Sequence, residues 1–82
     1  MQKLQILSPL PGTFYRRPSP ESEPYKKDGD SVEKGDTVGL VEVMKNFHEI
    51  KSQESGTNIT FLLDDSDPVE PGQAIADFRK KG

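Results

Sequence analysis

The sequence predicts an all-β fold, and three observations carry that expectation. Apolar residues alternate with polar ones over short runs, as at Val38, Leu40, Val41 and Val43 and again at Ile59, Phe61 and Leu63, the pattern of strands with one buried face. Seven glycines and seven prolines interrupt the 82 residues every few positions, so no stretch holds a period of 3.6 long enough for a helix. Two fragments also recur in the same order. Val32-Glu33-Lys34-Gly35 is matched 37 positions later by Val69-Glu70-Pro71-Gly72, and Gly12-Thr13 is matched 44 positions later by Gly56-Thr57. Two related halves of short strands pack as two antiparallel sheets about a quasi-two-fold axis, each burying one face. The two offsets differ by seven residues, and the surplus falls in the proline-rich residues 16–24 of the first half.

In chain order, residues 1–7 place Leu4 and Ile6 on one side and Lys3, Gln5 and Leu7 on the other, a short strand. Ser8-Pro9-Leu10-Pro11-Gly12 is turn chemistry, with two backbone donors removed and a glycine free to take positive φ. Thr13-Phe14-Tyr15, β-branched and aromatic, forms a second strand. Residues 16–24 contain Pro18, Pro20 and Pro24, which argue against both helix and central strand; composition alone reads them as a flexible loop. Tyr25 restarts an extended segment, residues 27–30 and 32–36 are turns, and residues 37–44 are the best strand in the chain. Residues 47–51 are its partner, with Met44-Lys45 where the chain reverses. Ser55-Gly56 turns the chain again, and residues 58–63 are a strand. The acidic run Asp64-Asp65-Ser66-Asp67-Pro68 is a solvated loop, residues 69–72 a turn and residues 74–78 the last strand. Arg79-Lys80-Lys81 reads as a solubilising tail.

Composition narrows the functional classes. Residues 1–82 suffice for one small domain. Apolar and charged residues each make up 30%, so the core is lean and stability has little reserve. There is no cysteine, hence neither a disulfide framework nor a Cys-based metal site. The net charge of −3 is spread along the chain without the basic face of a nucleic-acid binder. With no apolar run near the length of a membrane span and no signal-peptide pattern, the expectation is a soluble protein of the cytoplasm, or of the plastid stroma if the source is a plant.

The chemistry centres on Lys45. It sits at the tip of an expected hairpin, held away from the body and open to another protein, as a covalent modification site requires. Glu42-Val43-Met44-Lys45 resembles the Glu-Ala-Met-Lys motif of biotinyl domains. Gly12-Thr13-Phe14-Tyr15-Arg16-Arg17-Pro18-Ser19-Pro20 closely resembles a second motif, the one that enters the protruding "thumb" of biotin carboxyl carrier proteins of bacterial-type acetyl-CoA carboxylase. Ser8-Pro9, Gly35-Asp36-Thr37 and Ser55-Gly56-Thr57 match as well, so the resemblance spans residues 6–78. It implies a flattened β-barrel, or sandwich, of two four-stranded antiparallel sheets with a thumb at about residues 16–24. It further implies biotin attached to Lys45 by a biotin protein ligase. The carrier itself would be non-catalytic, its biotin moving a carboxyl group from a biotin carboxylase to the carboxyltransferase of an acyl-CoA carboxylase, most naturally that of fatty acid synthesis. Met44, Val43 and Asn46 flank the attachment point, and Arg16, Arg17, Pro18, Ser19, Pro20 and Glu21 enter the thumb. Two residues depart from the pattern: Val43 stands where alanine is usual, and Asn46 where an apolar residue usually follows the lysine.

Blander readings compete at each position. Most lysines are solvated surface residues, and Met packs anywhere in a core; the two ordered motifs reverse both priors. His48 is the single histidine and lacks a second His or a cysteine to join it, so a surface strand position is expected rather than a metal site. The acidic run lacks the glycine and terminal glutamate of a calcium loop. No nucleophile–base arrangement is evident, and catalysis by this chain is not expected. The alternatives are a lipoyl-type carrier, in which Asp-Lys usually stands where this chain has Met44-Lys45, and an unmodified barrel serving as an assembly module.

Overall fold

Alternation sorts the strands into two faces, and the turn residues set where each strand stops. The computed structural model describes residues 2–80, which form seven strands and no helix: β1 (Lys3–Leu7), β2 (Gly12–Tyr15), β3 (Thr37–Val43), β4 (Asn46–Lys51), β5 (Gly56–Phe61), β6 (Asp67–Val69) and β7 (Ala74–Lys80). They make two antiparallel sheets, one ordered β4-β3-β2-β6 and the other β1-β7-β5. Inward residues of both sheets form one core of Ile6, Phe14, Val32, Val38, Val41, Ile50, Ile59, Val69, Ile75, Ala76 and Phe78. Full burial of a side chain such as Phe14 contributes about 2–3 kcal/mol.

The all-β class, the sandwich and the repeat agree with the sequence reading. The second sheet has three regular strands instead of four. Its fourth place is taken by residues 29–32, whose backbone bonds to β5: Gly29 N–H donates to Ile59 O at 2.7 Å, Ile59 N–H to Asp30 O at 3.0 Å, and Val32 and Gly56 exchange both bonds at 2.8–2.9 Å. The ladder stays irregular because β5 is kinked. Its register against β7 slips between Thr57 and Thr60, where Asn58 takes a φ of 55°, a bulge that leaves one residue unpaired.

Several boundaries move. Tyr25 starts no strand. The strand expected at residues 58–63 begins at Gly56 and ends at Phe61, leaving Leu62 and Leu63 in a loop. Asp67 and Pro68, read as loop, open β6; this is an edge strand, where the missing proline donor costs no ladder bond. Arg79 and Lys80, read as tail, are the end of β7 and pair with Lys3, Thr57 and Gly56. Met1 and Lys81 lie outside the described residues.

The quasi-two-fold relation extends to individual hydrogen bonds. Lys27 N–H donates to Asp30 Oδ2 and Asp64 N–H to Asp67 Oδ2, each at 2.8 Å. Glu33 N–H donates to Asp36 Oδ2 and Glu70 N–H to Gln73 Oε1, each at 2.9 Å. Ser8 and Ser52 hydroxyls donate to the carbonyls two residues on, each at 2.6 Å. Arg16 N–H donates to Asp65 Oδ1 at 2.6 Å, and Phe61 N–H to Asp28 Oδ1 at 3.0 Å. The last pair fixes the insertion. Arg16 corresponds to Phe61 and Tyr25 to Leu62, so residues 17–24 are the extra segment. Its mouth is closed by the Tyr25 N–H bond to Arg16 O at 2.9 Å. Eight residues enter here and one is recovered in the β5 bulge, which gives the net seven read from the repeat.

One asymmetry in the core matters. Phe14 fills the space above Gly39, where a Cβ would come within 2.5 Å of the ring. In the other half the smaller Ile59 and the larger Ala76 stand at the equivalent positions. Gly39→Ala is therefore expected to lower stability by about 1–3 kcal/mol, read as a lower urea midpoint. Deleting residues 17–24 joins Arg16 to Tyr25 in the geometry already used at Phe61–Leu62. The shortened chain is expected to unfold in a single cooperative transition by far-UV circular dichroism; a broad, non-cooperative melt would contradict the assignment of residues 17–24 as an insertion.

Candidate functional site

The β3–β4 hairpin closes on the pair Val43 and Asn46, with only Met44 and Lys45 between the strands. Both take positive φ, 51° and 69°, as a two-residue type I′ turn requires for its twist to match the flanking strands. Asn and Gly usually fill such turns. Side chains with a Cβ pay roughly 1–2 kcal/mol each in this region, so the paired strands impose the conformation on Met44 and Lys45. The tip projects fully: Met44 is 89% exposed. Lys45 is exposed too, and among the described residues no ion pair or hydrogen bond engages its ammonium group. Val43 is half-buried and packs against the core, while Asn46 opposite it is exposed. By strand parity both lie on the inner side of the sheet, so the two departures from the motif face away from the outer surface.

That outer surface is built from alternate residues of β4, β3 and β2. Phe47, Glu42 and Thr13 form one row, and Glu49, Leu40 and Tyr15 the next. The Tyr15 and Phe47 rings lie 6.3 Å apart at 53°, and the Tyr15 hydroxyl donates to Glu42 Oε1 at 3.4 Å. Leu40 points outward yet is only 7% exposed. Tyr25, on the return, has its pKa raised by burial and then by the Glu49 carboxylate.

The insertion and this surface enclose an open cleft of about 460 Å³. Tyr15 and Phe47 form its floor, Arg17, Pro18, Ser19 and Pro20 one wall, and Asp65 and Ser66 the end. Phe47 lies two residues beyond Lys45, so the cleft begins beside the tip. Within the thumb, Ser22 N–H donates to Ser19 O at 3.1 Å and the two hydroxyls are 2.8 Å apart. Glu21 stays exposed and takes no part in the cleft.

Arg16 belongs to the barrel rather than to the thumb. Its guanidinium lies 4.3 Å over the Phe61 ring, a cation–π contact, and meets the Lys26 carbonyl at 3.5 Å and Asp28 at 3.8 Å. Asp65 is likewise more than part of a solvated turn, since its two oxygens accept bonds from Arg16 N–H and from Arg17 Nε at 3.1 Å. Sequence reasoning singled out neither the Tyr15–Phe47 pair nor Asp65. The outward parity of Tyr15 and Phe47 was a usable signal for the first; only the repeat, which aligns Asp65 with Asp28, could have found the second. His48 is an exposed residue of β4, as expected.

Residues 4–78 match the family model described as "Biotin-requiring enzyme". Among curated proteins the chain is 47% identical over 64 residues to the biotin carboxyl carrier protein of acetyl-CoA carboxylase 2, chloroplastic, of Arabidopsis thaliana, covering 78% of this chain and 25% of that protein. It is 40% identical over 75 residues to the biotin carboxyl carrier protein of acetyl-CoA carboxylase of Nostoc sp., covering 90% of this chain and 41% of that protein. The protein of the same name from Chlamydia trachomatis is 43% identical over 70 residues, covering 85% and 43%. The chain thus spans between a quarter and less than half of the length of these relatives.

Replacing Met44-Lys45 by Asn-Gly is expected to raise stability by about 1–2 kcal/mol through relief of the left-handed backbone. The check is an upward shift of the urea midpoint at unchanged slope; an unchanged or lower midpoint would show that the tip holds no strain.

Proposed function

The chain belongs to the family of biotin/lipoyl attachment domains described as biotin-requiring enzymes, and from that premise we propose that it is a biotin carboxyl carrier with Lys45 as the attachment residue. The observation that supports this most directly is the exposed, unengaged ammonium of Lys45 on a two-residue turn beside the cleft. The residues fit the group. A narrow turn lets Nζ, after loss of its proton, reach the biotin carboxyl that a biotin protein ligase has activated with ATP as an acyl-adenylate, forming the amide and releasing AMP. The aromatic floor and proline wall of the cleft suit a compact, partly apolar ring system. When attached, biotin supplies a ring nitrogen that takes up a carboxyl group at a biotin carboxylase and releases it at a carboxyltransferase.

The chain itself performs no chemistry in this reading. The hairpin holds the attachment amine clear of the body, and the lysine stem gives it reach. The tether raises the local concentration of the carried group at whichever partner site the barrel is docked. The thumb residues Pro18, Ser19 and Pro20 shelter the group between partners. The names of the relatives support acetyl-CoA carboxylase as the assembly served; this reading assigns biotin carboxylase, carboxyltransferase and biotin protein ligase as partners and fatty acid synthesis as the setting. The chloroplastic plant relative supports a plastid compartment for a plant source, and this reading assigns the cytoplasm for a bacterial one.

A lipoyl carrier fits less well, because Met44 precedes the lysine and the thumb is present. An unmodified assembly barrel draws its support from Val43 and Asn46, but both side chains face the inner side of the sheet and leave the outer side of the tip unaltered. Incubation with a biotin protein ligase, ATP and biotin is expected to add the mass of one biotinyl group to the wild-type chain and none to Lys45→Arg. A wild-type chain that stays unmodified while a known acceptor is labelled would refute the carrier reading.

A further inference from the structure

The thumb is braced from within by one side chain. Arg17 Nε donates to Asp65 Oδ2 at 3.1 Å, and Arg17 Nη1 donates to Ser22 O at 3.3 Å. A single guanidinium therefore links the loop before β6 to the returning arm of the thumb. The arm is in turn tied to Ser19 through the Ser22 N–H bond and the paired hydroxyls. Ser19 lies between the two prolines that wall the cleft. The planar fork of arginine is suited to holding two acceptors at once; a lysine offers a point charge without that geometry.

The quasi-two-fold relation separates what Asp65 does for the barrel from what it does for the thumb. Asp28, its counterpart, accepts the Phe61 N–H bond through Oδ1. Asp65 makes the equivalent bond to Arg16 N–H through Oδ1 and uses its second oxygen for Arg17. The first bond is shared by both halves and belongs to the fold. The second exists only where the insertion exists. Arg17 itself lies in the inserted segment, outside every strand and outside the core.

We infer that Arg17 and Asp65 are a positioning pair that holds the thumb as a fixed wall of the cleft, and so sets how a group carried on Lys45 rests against Tyr15 and Phe47. The inference rests on the carrier reading above for its second half, while the bracing stands without it. Among the described residues the pair's hydrogen bonds go to the thumb and the barrel and not to the attachment amine.

The test is native-state amide exchange followed by NMR on the whole chain, unmodified, for wild type, Arg17→Ala, Asp65→Asn, the double variant and Arg17→Lys. Asparagine keeps an oxygen for the Arg16 N–H and turns an NH2 group, which cannot accept from Nε, toward Arg17, so Asp65→Asn removes the Arg17 bond and leaves the Arg16 bond in place. The Ser22 amide is expected to exchange about fivefold faster in either single variant, in line with a half-exposed ion pair of this kind. The double variant should be no faster than the singles, Arg17→Lys should be intermediate, and the Val41 and Ile59 amides should not change. On the biotinylated protein, the shift of the Phe47 and Tyr15 ring protons caused by modification should be present in wild type and lost in Arg17→Ala. Unchanged Ser22 exchange, or Val41 and Ile59 accelerating equally, overturns the positioning role, and so does an identical ring-proton shift in Arg17→Ala. A wild-type chain that takes no biotin counts against the carrier reading, and the exchange data then judge the bracing alone.

Discussion

With no helix among the described residues, much of the backbone lies outside regular ladders, and its N–H groups need acceptors other than a neighbouring strand. This barrel meets that constraint with short polar side chains placed at equivalent points of its two halves. Asp30 and Asp67, Asp36 and Gln73, Asp28 and Asp65 each accept a backbone N–H that no strand could satisfy. Ser8 and Ser52, both buried, do related work by bonding the carbonyls of their own turns. The high charged fraction of the sequence is therefore partly structural. Asp36 shows the consequence: the Glu33 N–H, and after it the Lys26 ammonium, hold its carboxyl below the usual range. Its contribution to stability is present above the unfolded-state pKa and is lost as the pH falls through the lower folded value.

The same constraint explains how an exposed lysine can be presented on a small domain. Ladder bonds on both sides of Met44-Lys45 hold two ordinary residues in a left-handed turn. The thumb is added where the two halves of the barrel diverge, at a junction whose mouth is already sealed by a backbone bond. It walls the cleft whose floor is Tyr15 of β2 and Phe47 of β4. The Met44-Lys45 turn, the aromatic floor and the thumb thus come from two stretches of the chain, residues 15–24 and 44–47, and meet at one end of one sheet. The other sheet carries Lys3, Asp77 and Arg79 at corresponding outer positions, and offers no aromatic surface.

Much of this was legible in the residues. Alternation found most of the strands, the recurring turn words gave the two-fold and the size of the insertion, and the two motifs drew attention to the turn at Lys45 and to the inserted segment. What was not legible depended on long-range contact. The β5 bulge at Asn58 shifts one strand end and keeps residues 29–32 from becoming a regular strand, and no local pattern marks it. Asp67 and Pro68 look like loop until an edge position makes the proline harmless. Arg16 reads as part of the thumb until Phe61 is found beneath it, and Asp65 reads as solvated until the thumb closes over it. The Tyr15–Phe47 pair lies 32 positions apart in sequence and is joined only through the register of β2, β3 and β4.

The correspondence between Arg16–Tyr25 and Phe61–Leu62 means that the barrel has two equivalent doorways, of which this chain uses one. At the second, Leu62 stands 48% exposed at the point where an inserted segment would leave and return, and Asp28 already occupies the place that Asp65 holds beside the thumb. A lobe grafted there would enter through a backbone geometry the fold already tolerates, over a polar rather than an aromatic sheet. Evolution or design could therefore append a second recognition element to the opposite face without disturbing the first, which makes this small scaffold divisible into a constant frame and two independently variable sockets.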